Sequence, residues 1–209
     1  MGIIVGKFEK VSFEQFKKDC IKTFGLESND DTIKLLEDAY DKLELPKRGT
    51  NGSAGYDFHI PFGVYLRKND VITIPTGIRC KISDGWLLEI VPRSSYGFKY
   101  RMMIANTVPI IDSDYYNAEN EGHIMIKISF DSFPFQGYDK NYGLNQRDDN
   151  GIYLSTRKIS QSKPTETMEL HQNDRFVQGI FLPYGITEDD DSDKENFKDR
   201  IGGIGSTGK

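Results

Sequence analysis

The sequence predicts a mainly β domain of many short strands, a barrel or a sandwich, preceded by a helical hairpin. Three observations predict it. Between Pro46 and Gly185, glycines and prolines punctuate short runs rich in β-branched and aromatic residues. No long helical pattern interrupts that region. Ahead of it, apolar residues recur instead at helical spacing.

Residues 1–45 read as helical. Ser12 with Gln15 has the form of a capping box, and Phe13, Phe16, Cys20 and Phe24 follow on one face up to a stop at Gly25. Asn29-Asp30-Asp31 suits the start of a second helix carrying Ile33, Leu36, Tyr40 and Leu43. Two helices with one apolar face must pack on something, here the domain that follows. The β domain spans 46–187, with strands expected at Tyr56–Ile60, Val71–Pro75, Gly77–Ile82, Trp86–Val91, Ile124–Phe130 and Phe176–Pro183. Within it, residues 131–170 are polar and read as an insertion with turns and a protruding hairpin. Residues 188–209 form an acidic linker and a glycine-rich arm.

Composition excludes several classes. The chain has 209 residues, 37% hydrophobic and 28% charged, with a net charge of −5. No general attraction to nucleic acid or to anionic membranes is expected. No apolar run is long enough to span a bilayer, and no signal-peptide core precedes the first helix. Cys20 and Cys80 lack CxxC partners, and His59, His123 and His171 lack metal-ligand spacing. A reducing cytoplasm is the expected location.

The stretch from Asn106 to Tyr115 carries the densest chemistry. The apolar run Val108–Ile111 ends in Asp112 and Asp114, which on a continued strand point the same way, and Tyr115 follows. A tight turn there offers unpaired backbone groups to a small ligand. Asn106 both donates and accepts, which suits an amide or imide edge. The bland alternative is an Asp-rich hairpin corner.

Residues 188–195 hold six carboxylates in eight positions and read as a solvated linker. Beyond it, Gly203 to Lys209 spells G-x-x-x-x-G-K, but no Ser or Thr follows the lysine as a Walker A loop requires. What remains is a glycine-rich arm whose N–H groups suit phosphate, or a plain tail.

Ala54-Gly55-Tyr56-Asp57, Pro92-Arg93-Ser94-Ser95, Asn106 to Tyr115, Asp174-Arg175-Phe176-Val177-Gln178 and Gly202 to Gly208 occur in this order. Together they closely resemble the motifs of the trimeric dUTPase family, over roughly Pro46 to Lys209. The resemblance implies a jelly-roll-like (β-clip) domain, a homotrimer with sites at subunit interfaces, and Mg²⁺-dependent hydrolysis of dUTP to dUMP and pyrophosphate. It implies that Asp112 orients and deprotonates the attacking water. Arg93, Ser94, Ser95, Arg175, Gln178 and Arg200 would contact substrate, Arg200 approaching the terminal phosphates. Asn106 would read uracil and Tyr115 would lie under the deoxyribose. Ile204, Gly205 and Ser206 would close over the bound nucleotide. Asp57 and Gln178 would reach the metal through water.

The chain departs from the family pattern at Pro109, where glycine is common, in the extra residues Asn117 to Glu121, at Ile204 in place of an aromatic, and in the spacing of Arg200. Two other readings are a dCTP deaminase-like enzyme and a nucleotide-sensing regulatory protein. Lys127 stands where the deaminase would need a glutamate. Residues 1–45 and 131–170 are candidate surfaces for a protein partner.

Overall fold

A computed structural model describes residues 2–130, 136–138, 143–148, 151–155, 158–161 and 167–192. In chain order the elements are β1 (Gly6–Lys10), α1 (Phe13–Phe24), α2 (Asp30–Asp41), β2 (Lys47–Arg48), β3 (Tyr56–His59), β4 (Val64–Arg67), β5 (Val71–Pro75), β6 (Ile78–Ile82) and β7 (Trp86–Pro92). Then come α3 (Ser94–Tyr100), β8 (Met102–Ile104), β9 (Ile110–Ile111), a 3₁₀ turn (Ser113–Asn117) and β10 (Met125–Phe130). Four strands follow, β11 (Gln136–Tyr138), β12 (Gly143–Asp148), β13 (Gly151–Ser155) and β14 (Lys158–Gln161). The series ends with β15 (Thr167–Leu170), β16 (Arg175–Pro183) and α4 (Glu188–Ser192).

The helices form where the pattern predicts them. The Ser12 hydroxyl accepts from the Gln15 N–H, Asn29 caps the Thr32 N–H, and Gly25 ends α1 at φ 60°. The Gln15 side chain does not complete a capping box; it donates to Asp19. Phe16 and Cys20 are fully buried and pack with Val11, Leu36 and Ala39. Not all of 1–45 is helical, however. Gly6–Lys10 is a strand paired antiparallel with β6, so the chain enters through the β domain before the hairpin begins. Its alternation of Lys7, Phe8 and Glu9 is too short to outweigh the helical pattern beside it.

The β domain is built of small antiparallel sheets. The largest has the order β2-β3-β16-β7-β9, and a second has the order β5-β10-β8. Their inner faces, with β4 and β15, enclose a core that includes Phe58, Ile60, Ile74, Leu88, Ile90, Ile128, Phe130 and Phe176. This is the mainly β, jelly-roll-like frame that was expected, and it holds the strands that were expected. Strands β4, β8 and β15 were missed, being only three or four residues long. Met168 and Leu170 on β15 are fully buried, so the end of the 131–170 segment belongs to the core. Within that segment, β12 pairs with β13 inside the β11–β14 pair. The acidic run opens on a short helix, and Asp190 accepts from the Thr187 N–H.

Among the described residues no helix is long and apolar enough to cross a membrane. Cys20 and Cys80 are both free, and burial pushes each thiol up to about 12.

Candidate active site

One end of the large sheet collects charge. Antiparallel pairing sets Gln178 opposite Asp57 on one side and opposite Val91 on the other. The Arg93 N–H donates to the Phe176 carbonyl just beyond the end of β7. These registers bring four motif residues from three strands to one place. The Asp57 carboxylate is buried, with Arg93 Nε 3.1 Å from one oxygen and Arg175 Nη1 3.4 Å from the other. One carboxylate between two guanidiniums leaves a net positive charge, which suits a polyanion. Gly55 lies against Gln178, where an added Cβ would fall 2.2 Å from Oε1. Ser94 and Ser95 open α3 and are exposed.

One contact the sequence did not announce steadies this end. The Tyr96 hydroxyl donates to Asp174 at 3.0 Å and ties α3 to the start of β16. Burial, then that hydrogen bond, pushes the phenol up to about 12. His59 stands opposite Arg175 in the register, two residues from Asp57 on the same face. Burial lowers its pKa, which favours the neutral ring.

The Asn106–Tyr115 stretch occupies the other end. Thr107 turns the chain at φ 63°, with its N–H on the Ile104 carbonyl, and the Asn106 side chain is exposed. Pro109 supplies a carbonyl to the Ile90 N–H. Ile111 pairs with Leu88, which sets Asp112 level with Leu87. Asp112 is extended at φ −80°, ψ 159°, exposed, and stands at the start of the 3₁₀ turn without a side-chain capping bond to it. Asp114 lies inside that turn, so the strand alternation that would align the two carboxylates does not continue past Ile111. Tyr115 is 3% exposed; its hydroxyl donates to the His123 carbonyl and accepts from Asn120. A ring buried so deeply within one chain shapes the floor of the loop and presents little surface of its own.

The two groups do not meet within one chain. From the level of Leu87 to Arg93 is six positions along β7, about 20 Å at strand rise. Asp57 is level with Val91, four positions or about 13 Å along the strands, and is offset sideways as well, because β16 and β7 separate β3 from β9. Arg200, Ile204, Gly205 and Ser206 lie outside the described residues.

Fold and site together define a jelly-roll-like β domain with a cationic cluster at one end and a carboxylate-bearing loop at the other. The dUTPase family profile matches residues 41–130. A deoxyuridine 5'-triphosphate nucleotidohydrolase of Lactococcus lactis is 29% identical over 167 residues, covering 79% of this chain and 89% of that enzyme. One from Burkholderia thailandensis is 38% identical over 97 residues, covering 45% of this chain and 62% of that enzyme. Among solved structures, the Streptococcus mutans dUTPase superposes with TM-score 0.48 at 26% identity, covering 69% of this chain and 88% of that one. The dUTPase from phage phi11 of S. aureus gives 0.49 at 23% identity, covering 70% and 86%. The chain is thus similar to dUTPases, through the family profile over residues 41–130 and through these relatives.

Proposed function

We propose that this chain hydrolyses dUTP to dUMP and pyrophosphate in a site assembled from different copies of a homotrimer. The observation that carries this reading is the separation of the Asp57 cluster from Asp112. Each holds half of the required chemistry, and neither reaches the other within a chain. Exposed apolar Val108 and Ile110, 40% and 45% exposed, flank the Asp112 loop and suit an interface with a neighbour.

In the proposed reaction, Arg93, Ser94, Ser95, Arg175 and Gln178 bind the triphosphate of dUTP, the arginine forks pairing with phosphate oxygens. Asn106 and the turn backbone of a neighbouring copy read uracil, and the loop over Tyr115 supports the deoxyribose. The Asp112 carboxylate orients a water and takes its proton as the water oxygen bonds to the α-phosphorus. The bond from that phosphorus to the bridging oxygen breaks, and pyrophosphate leaves. Arg200, Ile204, Gly205 and Ser206 close over the nucleotide and exclude bulk water.

The residues fit a hydrated Mg²⁺. Among the described residues no three His, Cys, Asp or Glu side chains gather to cage a metal. Mg²⁺ takes most of its ligands from water and phosphate, and a lone carboxylate beside an amide, Asp57 and Gln178, supplies acceptors for its waters. When bound, the ion neutralises phosphate charge.

The test incubates the protein with Mg²⁺ and dUTP, dCTP, dTTP or UTP separately. Pyrophosphate from dUTP alone supports this reading. Ammonia from dCTP would establish the deaminase, which exposed Lys127 on β10 disfavours. Tight dUTP binding with no product would establish the regulator.

A further inference from the structure

We propose that Glu9, Ser12 and Asp19 of the N-terminal extension are positioning residues that hold the 112–123 loop in its working geometry. The proposal rests on the reading of that loop as the nucleoside-binding part of the site.

The loop is irregular, held within itself by turn hydrogen bonds and the Tyr115 hydroxyl rather than by a strand ladder. Strand β9 is two residues long and lies at the sheet edge, and the 3₁₀ turn follows at once. Glu121 and Gly122 then adopt φ 57° and 67°, and a Cβ on Gly122 would sit 2.7 Å from the Tyr115 carbonyl oxygen. Such a turn depends on its surroundings for its shape.

The 3₁₀ turn packs on β6, and the N-terminal extension adds side-chain partners along the loop. From β1, Glu9 accepts from the Tyr116 hydroxyl at 2.5 Å. Arg79 pairs with the same carboxylate at 3.2 Å and lies over the Tyr116 ring at 4.4 Å. From the start of α1, the Ser12 N–H and hydroxyl both donate to Glu121, at 2.7 and 2.6 Å. About two turns further along α1, Asp19 meets His123 Nδ1 at 2.6 Å, while His123 Nε2 accepts from the Gly77 N–H. That N–H makes Nε2 the acceptor, so Nδ1 carries the proton and donates to Asp19. The His123 ring is fully buried, and its backbone carbonyl receives the Tyr115 hydroxyl. A path of hydrogen bonds therefore runs from Asp19 through His123 to Tyr115, whose N–H returns to the Asp112 carbonyl at 3.3 Å.

The sequence adds an independent coincidence. Asn117 to Glu121 are the extra residues of this loop relative to the common family pattern, and Glu121 is one that the extension grips. The longer loop and the added N-terminal elements fit each other.

Three variants test the role: Tyr116→Phe, which deletes only a hydroxyl, and Asp19→Ala beside Asp19→Asn, which keeps an acceptor for Nδ1–H. Steady-state rates are measured on dUTP and UTP. Tyr116→Phe and Asp19→Ala are expected to lower kcat/KM for dUTP about five- to tenfold each and to shrink the preference over UTP by a similar factor. Asp19→Asn should recover most of the loss. If Asp19→Ala does not fold, Tyr116→Phe decides alone. Rates and preference within about twofold of the parent, with only the melting temperature lowered, overturn the positioning role. Asp112→Asn is run alongside. An inactive parent protein, or an Asp112→Asn variant with parental turnover, defeats the site reading and this proposal with it. An inactive Asp112→Asn variant beside unaffected Tyr116→Phe and Asp19→Ala variants defeats the positioning role alone.

Discussion

Arg93 Nε lies 3.1 Å from Oδ1 of Asp57, a carboxylate whose side chain is only 8% exposed. Asp57 thereby sets the aim of Arg93, and of Arg175 on its other oxygen. Asp57→Ala releases both guanidiniums from that geometry. The expected outcome is a fall in kcat/KM for dUTP of about 10²-fold, because aimed charge matters more to the reaction than charge alone. The stability loss should be about 1–2 kcal/mol, less than for a deeply buried pair because both arginines remain in contact with water. Urea denaturation and steady-state kinetics on the same sample measure the two effects.

Gly55 serves the same cluster by its lack of a side chain. Alanine there would place Cβ 2.2 Å from Gln178 Oε1 and 3.0 Å from Cδ. The Gln178 amide is the end of a side chain and can swing away, so the fold should tolerate Gly55→Ala with a small change in melting temperature. Turnover should fall about tenfold or more as the amide leaves the site. Parental activity in a folded Gly55→Ala protein would show that Gln178 has no part in the reaction.

Glu9 and Asp19 carry a pH signature, set in Glu9 first by Lys7 on its own strand and then by Tyr116 of the Asp112 loop. The hydrogen bond from Lys7, then that from Tyr116, lowers Glu9 from its ordinary 4.5 to about 2. Burial works to raise Asp19, but hydrogen bonds from His123 and Gln15 outweigh it and lower the group below its ordinary 3.8. A depressed carboxylate stabilises the fold above its unfolded pKa, and that contribution is lost as pH falls through the folded value. For Glu9 the window runs from 4.5 down to about 2. The melting temperature of Glu9→Gln should therefore lie below that of the parent at neutral pH, and the gap should close across that window. A gap independent of pH would mean that the Glu9 charge contributes nothing there.

Asp112→Asn keeps the size and hydrogen bonding of the side chain and removes its charge. Turnover should fall about 10²-fold or more while dUTP still binds. Calorimetric titration with dUTP and a pyrophosphate-release assay separate the two.

What was legible in the sequence divides along physical lines. Phe16, Cys20 and Leu36 announced the helical hairpin because burial at helical spacing is a local pattern. Asp57, Arg93, Arg175 and Gln178 were found through ordered motifs, and the register of β3, β16 and β7 brings them together. Strand β1 was hidden because five residues beside a strong helix carry too little period of their own. The links Ser12–Glu121 and Asp19–His123 span more than a hundred positions, and no local pattern signals a contact of that range. Their only trace was the extra length of the Asp112 loop. Asp114 was misaligned because the strand ends at Ile111, and a 3₁₀ turn does not keep a strand's alternation.

The central claim is that Asp57 and Asp112 serve one site from different copies of the chain, and mixing two inactive variants tests it most directly. Asp57→Ala and Asp112→Asn are co-expressed in equal amounts with different affinity tags, and doubly tagged trimers are assayed with dUTP. Double-tag selection excludes the two homotrimers, and in every mixed trimer one of the three sites receives an intact Asp57 half from one copy and an intact Asp112 half from a neighbour, which predicts activity near a third of the parental value. Mixed trimers no more active than the two variants alone would contradict the account and return both halves of the site to a single chain.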